Sequence, residues 1–136
     1  MKRRAAVAGK AAIGWPSLTR KARAVFTRSY VPYSRRPSGA AVLADSGRAY
    51  AGCRVENHSL GLTIAATCGA VAQAVAAGER QIVAALVVVA GRPAPPRGEC
   101  LQALSEFGSP AMPISVVGRR GARRVYTLGK LLPARI

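Results

Sequence analysis

Residues Ile82 to Ala90 form an unbroken apolar run, rich in branched side chains. A membrane span needs about 20 such residues, so this run is far too short to cross a bilayer. It has the length of a strand. A strand with one wet face alternates apolar and polar residues, whereas a continuous apolar strand needs cover on both faces. A strand over Gln81–Ala90 therefore calls for helices above and below it, which is the arrangement of an α/β chain.

The flanking sequence supplies those helices. Pro16 and Ser17 offer a helix start, and Leu18, Ala22, Val25 and Phe26 make one apolar face. That helix ends near Tyr30, because Pro32 and Pro37 follow. Gly39–Ala44 and Arg48–Val55 are strand-like and are joined by Asp45-Ser46-Gly47, a hairpin signal. A helix is expected over 63–78, with Ile64, Cys68, Val71 and Val75 along one face and Gly78 as its stop. Gly91–Pro96 is a Pro-rich loop. A helix from about Gly98 to Phe107 turns Cys100, Leu101, Leu104 and Phe107 inward. Pro113–Val117 is a strand, Gly118–Arg124 a basic turn, and Val125–Leu128 a last strand. Leu131 and Leu132 close the domain. The order α-β-β-α-β-α-β-β gives a three-layer α/β/α sandwich with a mixed central sheet. A chain of 136 residues is long enough for one core. That core is placed in residues 16–136, and residues 1–15 form a basic N-terminal arm or targeting segment.

Charge is the second constraint. Lys and Arg number 21 against five acids, a formal net charge of +16, and 17 of the 21 are Arg. No acid precedes Asp45, while ten Lys or Arg do. An Arg-rich, acid-poor start resembles an organelle transit segment and also a basic arm that follows RNA. Arg pairs bidentately with phosphate, so polyanions are natural counterions of such a chain. Three cysteines, Cys53, Cys68 and Cys100, make no disulfide framework and point to a reducing compartment. With the single His58 they supply no conventional zinc spacing. The expected location is intracellular, the mitochondrial matrix favoured over the cytoplasm, and no membrane partner is expected.

The segments Tyr30-Val31-Pro32-Tyr33-Ser34, Gly39-Ala40-Ala41, Gly52-Cys53, Glu56-Asn57, Gly61-Leu62-Thr63-Ile64 and Leu131-Leu132-Pro133 occur in that order. Together they resemble the small, single-domain cytidine deaminases over roughly residues 16–133. The resemblance implies that fold, and it implies zinc-assisted hydrolytic deamination: thiolates at two helix N-termini hold the metal, and a neighbouring carboxylate shuttles protons. The family's C-A-E motif falls on Ala65, Ala66 and Thr67. Its P-C-x-x-C motif falls on Pro96-Arg97-Gly98-Glu99-Cys100. Of three thiolate positions only Cys100 keeps sulfur. Thr67 replaces the proton carrier, and Ala65 and Arg97 replace two ligands. Arg36 stands where the family has a base-stacking aromatic, Arg54 where it has a ribose-binding Asn, and Leu60 where it has Tyr. Glu56 is retained.

Sequence alone thus leads to a degenerate family member with no catalytic residues, no cofactor and zinc absent, serving as a basic structural or RNA-binding component of a ribonucleoprotein such as an organellar ribosome. The phosphate-contact candidates are Lys2, Arg3, Arg4 and Lys10 in the arm, Arg20, Lys21, Arg23 and Arg28 on the first helix, and Arg119, Arg120, Arg123 and Arg124 near the C-terminus. Two alternatives stand beside it. One is a nucleotide- or anion-binding protein, or an enzyme of altered chemistry, whose pocket uses Arg36, Arg54, Glu56, Thr67 and Arg97. The other is an active zinc-dependent deaminase, with an unrecognised site or ligands from a partner subunit. A homo-oligomer, or association with an active paralogue, is expected from the family's habit of assembling.

Overall fold

The computed structural model describes residues 13–134. The apolar run becomes the middle strand of a five-stranded mixed sheet. In chain order the elements are α1 (Trp15–Phe26), β1 (Ser38–Ala44), β2 (Ala49–Cys53), a 3-10 turn (Leu60–Leu62), α2 (Ala66–Ala76), β3 (Ile82–Val89), α3 (Gly98–Phe107), β4 (Pro113–Val117), β5 (Arg123–Thr127) and α4 (Leu128–Leu131). The strands lie in the order β2-β1-β3-β4-β5. Only the β3–β4 pair is parallel, joined through α3.

The predicted two-sided burial of β3 is present. Ala85 and Val87 face a cluster containing Ala66, Ala70, Val71, Ala74, Leu101 and Leu104 of α2 and α3. Ala84, Leu86 and Val88 face Leu18 and Ala22 of α1 on the opposite side. Ile13 also joins that second cluster, and Trp15 packs against it, so the helix begins one residue ahead of the expected Pro16. Fully burying a Leu such as Leu18, Leu86 or Leu104 contributes about 1.5–3 kcal/mol. Leu43 of β1 opposes Ala84 while Ala44 opposes Ile82, leaving an irregularity at one end of the β1–β3 ladder.

Two glycines set how closely helices approach the sheet. A Cβ on Gly39 would lie 2.3 Å from the Ala22 carbonyl oxygen, and one on Gly52 would lie 2.4 Å from the Ala70 backbone nitrogen. Backbone therefore meets backbone at both places, which is why α2 is built from Ala, Gly and other small residues. The hairpin between β1 and β2 turns at Gly47, whose φ of 93° is left-handed.

Several boundaries differ from expectation. Residues 63–65 are extended rather than helical, because Ile64 exchanges backbone hydrogen bonds with Val55 at 2.8 and 3.0 Å. The second strand is shorter than Arg48–Val55. Arg123 and Arg124 belong to β5 rather than to a turn, paired opposite Val117 and Val116. α4 was not anticipated: it starts where the last strand was expected to end.

Candidate active-site cleft

A cleft of about 440 Å³ opens where the carboxyl ends of β3 and β4 meet the N-termini of α2 and α3. Ligand sites of α/β sheets lie at strand carboxyl ends. Its apolar wall is formed by Val87, Val89, Ala90 and Val116. Ala65 and Arg97 are the N-cap residues of the two helices, and neither side chain caps its helix. The first N–H groups of each helix are thus left without a side-chain acceptor.

Of the sequence-derived pocket residues, Arg36, Arg54, Thr67 and Arg97 line the cleft, together with Ala65 and Cys100. Glu56 does not. It stands behind the wall, 4% exposed, and its carboxylate accepts the backbone N–H groups of Tyr33 and Ser34 at 3.0 and 3.1 Å, the Ser34 hydroxyl, and Arg54 Nε at 2.9 Å. Burial pushes its pKa up, but the hydrogen bonds from Ser34, Arg54 and Tyr33 outweigh that and hold it at about 2. Glu56 is therefore a charged clamp that fixes two lining residues, Ser34 and Arg54. Sequence reasoning missed Ser34 and Arg92 as lining residues. The signal for Arg92 was its place in the loop directly after the central strand.

Thr67 is buried at the cleft wall beside Cys100. Burial, with Cys68 and Glu99 nearby, pushes Cys100 up to about 11. Cys68 is also raised, first by burial and then by Glu99, and its Sγ lies 3.9 Å from the Glu99 carbonyl oxygen. Glu99 is exposed and pairs with Arg97 at 3.3 Å. His58 is exposed, its ring 6.3 Å from that of Tyr33, and it is not a lining residue.

The basic candidates lie elsewhere. Arg20, Lys21, Arg23 and Arg28 are exposed on or just after α1, opposite its buried Leu18 and Ala22. Arg119 and Arg120 are exposed in the turn before β5. Arg123 and Arg124 sit on β5, at the edge of the sheet, where charge discourages further strand pairing. Arg123 also donates to the buried Ser115 hydroxyl at 2.8 Å. Lys2, Arg3, Arg4 and Lys10, with most of the proposed arm, lie outside the described residues.

A family profile described as cytidine deaminase-like matches residues 18–121. The chain belongs to the cytidine deaminase-like family. A cytidine deaminase of Sporosarcina psychrophila is 41% identical over 108 residues, spanning 78% of this chain and 79% of the relative. One from Mycobacterium tuberculosis is 40% identical over 122 residues, 89% of this chain and 88% of the relative. The crystal structure of cytidine deaminase from Burkholderia pseudomallei superposes with a TM-score of 0.84 at 36% identity, covering 88% of this chain and 97% of that one.

These relatives overturn three expectations. They are cytidine deaminases, and none of those named here is an RNA-binding or ribosomal protein, so the ribonucleoprotein reading falls. The basic residues outside the cleft are accounted for locally, as the solvated face of α1 and as edge charges on β5. The non-enzymatic reading falls with it. So does the expectation that zinc is absent, which rested on the same reasoning, since the chemistry implied for this family is zinc-assisted. The side chains present nevertheless do not fit a family-type zinc cage. The helix starts offer a methyl group at Ala65, a guanidinium at Arg97 and one protonated thiol at Cys100, and no group of three His, Cys, Asp or Glu that could hold a metal occurs among the described residues.

Proposed function

We propose that the cleft binds a cytidine-class nucleoside and that the chain's reaction is the one its relatives are named for. In that reaction water replaces the exocyclic amine of the base, and cytidine gives uridine and ammonia. The observation that carries the reading is the retained cleft: the same fold, at about 40% identity to cytidine deaminases over nearly nine-tenths of the chain, with an opening of about 440 Å³ at the helix starts. That volume falls in the range of small-ligand pockets, about 300–1,000 Å³.

The chain's own residues supply recognition. Val87, Val89 and Val116 give an apolar wall for a flat base. The Glu56 clamp holds Ser34 and Arg54 in place, so their polar groups are ordered before a ligand arrives. Thr67, buried at the first turn of α2, is a hydroxyl donor and acceptor at the cleft floor. No step is assigned to a metal, because these side chains do not form a cage for one.

The test is calorimetric titration of the purified full chain with cytidine, alongside a uridine and ammonia assay. Saturable binding with uridine formation supports the reading. Binding without turnover overturns the reaction, and absence of binding overturns the reading altogether.

A further inference from the structure

The cleft is lined by four guanidinium groups, Arg36, Arg54, Arg92 and Arg97, and among the described residues by no carboxylate. Two of the four are neutralised from outside the lining: Arg54 by Glu56 at 2.9 Å and Arg97 by Glu99 at 3.3 Å. The guanidinium groups of Arg36 and Arg92 have no hydrogen-bond or ion-pair partner among the described residues, although the Arg36 backbone N–H donates to the Ser34 hydroxyl at 3.1 Å. Four cations less two carboxylates leave two positive charges at the opening. A neutral nucleoside gives those charges nothing to pair with.

Arg36 reaches the segment that carries Arg92. A Cβ on Gly91 would lie 2.9 Å from an Arg36 guanidinium nitrogen, so Arg36 lies against the backbone of the residue preceding Arg92. Both are solvent-exposed. A phosphate monoester carries about −1.5 to −2 at pH 7 and presents three acceptor oxygens, which matches two guanidinium groups in charge and gives each an acceptor. The uncapped starts of α2 and α3 at the same cleft add N–H donors of the same sign.

We infer that the ligand of this cleft is a phosphorylated cytidine-class compound, a pyrimidine nucleoside monophosphate, with its phosphate held between Arg36 and Arg92. This rests on the reading of the cleft as a cytidine-class site and narrows its substrate class. It also gives a physical role to Arg36: a fork for phosphate stands where the family resemblance has a stacking ring.

The experiment titrates the full chain with cytidine, cytidine 5′-monophosphate and inorganic phosphate, for the wild type, an Arg36→Gln/Arg92→Gln variant and a Gly91→Ala variant. The last places its methyl group against the flexible end of Arg36 and leaves the cleft's charge unchanged. The monophosphate is expected to bind at least about tenfold more tightly than cytidine, as charge-assisted hydrogen bonds imply. The double variant should erase that advantage, so that it binds the monophosphate no more tightly than it binds cytidine, and Gly91→Ala should reduce it in part. Circular dichroism confirms that each variant is folded. Equal affinity for the nucleoside and its monophosphate overturns the inference and leaves the cytidine reading standing. Inorganic phosphate binding as tightly as the monophosphate also overturns it, because the site is then one for free phosphate. Failure of both cytidine compounds to bind overturns the underlying reading, and this one with it.

Discussion

Replacing Gly52 with Ala tests how α2 is held at the cleft. The new Cβ would lie 2.4 Å from Ala70 N, 2.7 Å from Gly69 C and 2.8 Å from Ala66 O, and all three are backbone atoms of the helix. No side chain can swing aside. Recovering ordinary contact at 3.4 Å from 2.4 Å requires a separation of about 1 Å between β2 and α2. Overpacking costs about 1–3 kcal/mol, and the upper half of that range applies where only backbone can yield. For a domain of this size a loss of about 2–3 kcal/mol lowers Tm by roughly 8–12 °C. The same shift moves Ala66 and Thr67 in the cleft wall, so ligand affinity should fall as well. Urea unfolding and thermal melts provide the measurement. Gly61→Ala is the control, because a Cβ there meets nothing within 4 Å, and it should stay within about 0.5 kcal/mol of wild type. If Gly52→Ala is as stable as Gly61→Ala, the close approach of backbone to backbone is not what fixes α2.

Three further outcomes follow. An unperturbed Glu titrates near 4.5 and folded Glu56 near 2, so the stabilisation from its clamp is complete above about pH 4.5 and is lost as pH falls through about 2; acid unfolding should show this slope in wild type, and Glu56→Gln should lack it. With Cys100 at about 11, its alkylation at pH 8 should run about a hundredfold slower in the folded chain than in the unfolded one, and equal rates would contradict the buried, protonated thiol. Leu104, fully buried between α3 and the sheet, should cost about 2–5 kcal/mol on replacement by Ala, read by urea denaturation.

The parts of the fold set by burial were legible in the sequence. The run at Ile82–Ala90 could be a central strand only with helices on both faces, and α1 and α3 showed their apolar faces through spacing alone. What was not legible depends on contacts between distant segments. Ile64 has the sequence neighbours of a helix, yet its backbone is taken by Val55. Arg123 and Arg124 look like a charged turn until β4 offers them a partner. Leu128 opens α4 instead of extending β5: its N–H still meets the Met112 carbonyl at 2.9 Å, but its own carbonyl accepts from the Leu132 N–H at 2.8 Å.

At the site, residue identities carried the family and misled about the function. Arg36, Arg54 and Arg97 were placed in the pocket by resemblance, and they are there. Glu56 was placed with them, but four donors turn it away from the opening, which no spacing rule shows. The charge total suggested a polyanion partner because it was read as one surface. Among the described residues the basic side chains are spread over several faces, including the outer face of α1, the edge strand β5 and the cleft.

The most direct test of the account is a crystal structure of the full chain grown with cytidine. Nucleoside density is expected in the cleft, its base against Val87 and Val116 and within reach of Thr67 and Arg54. Density for the ligand elsewhere on the chain, with the cleft holding only solvent at a saturating concentration, would contradict it.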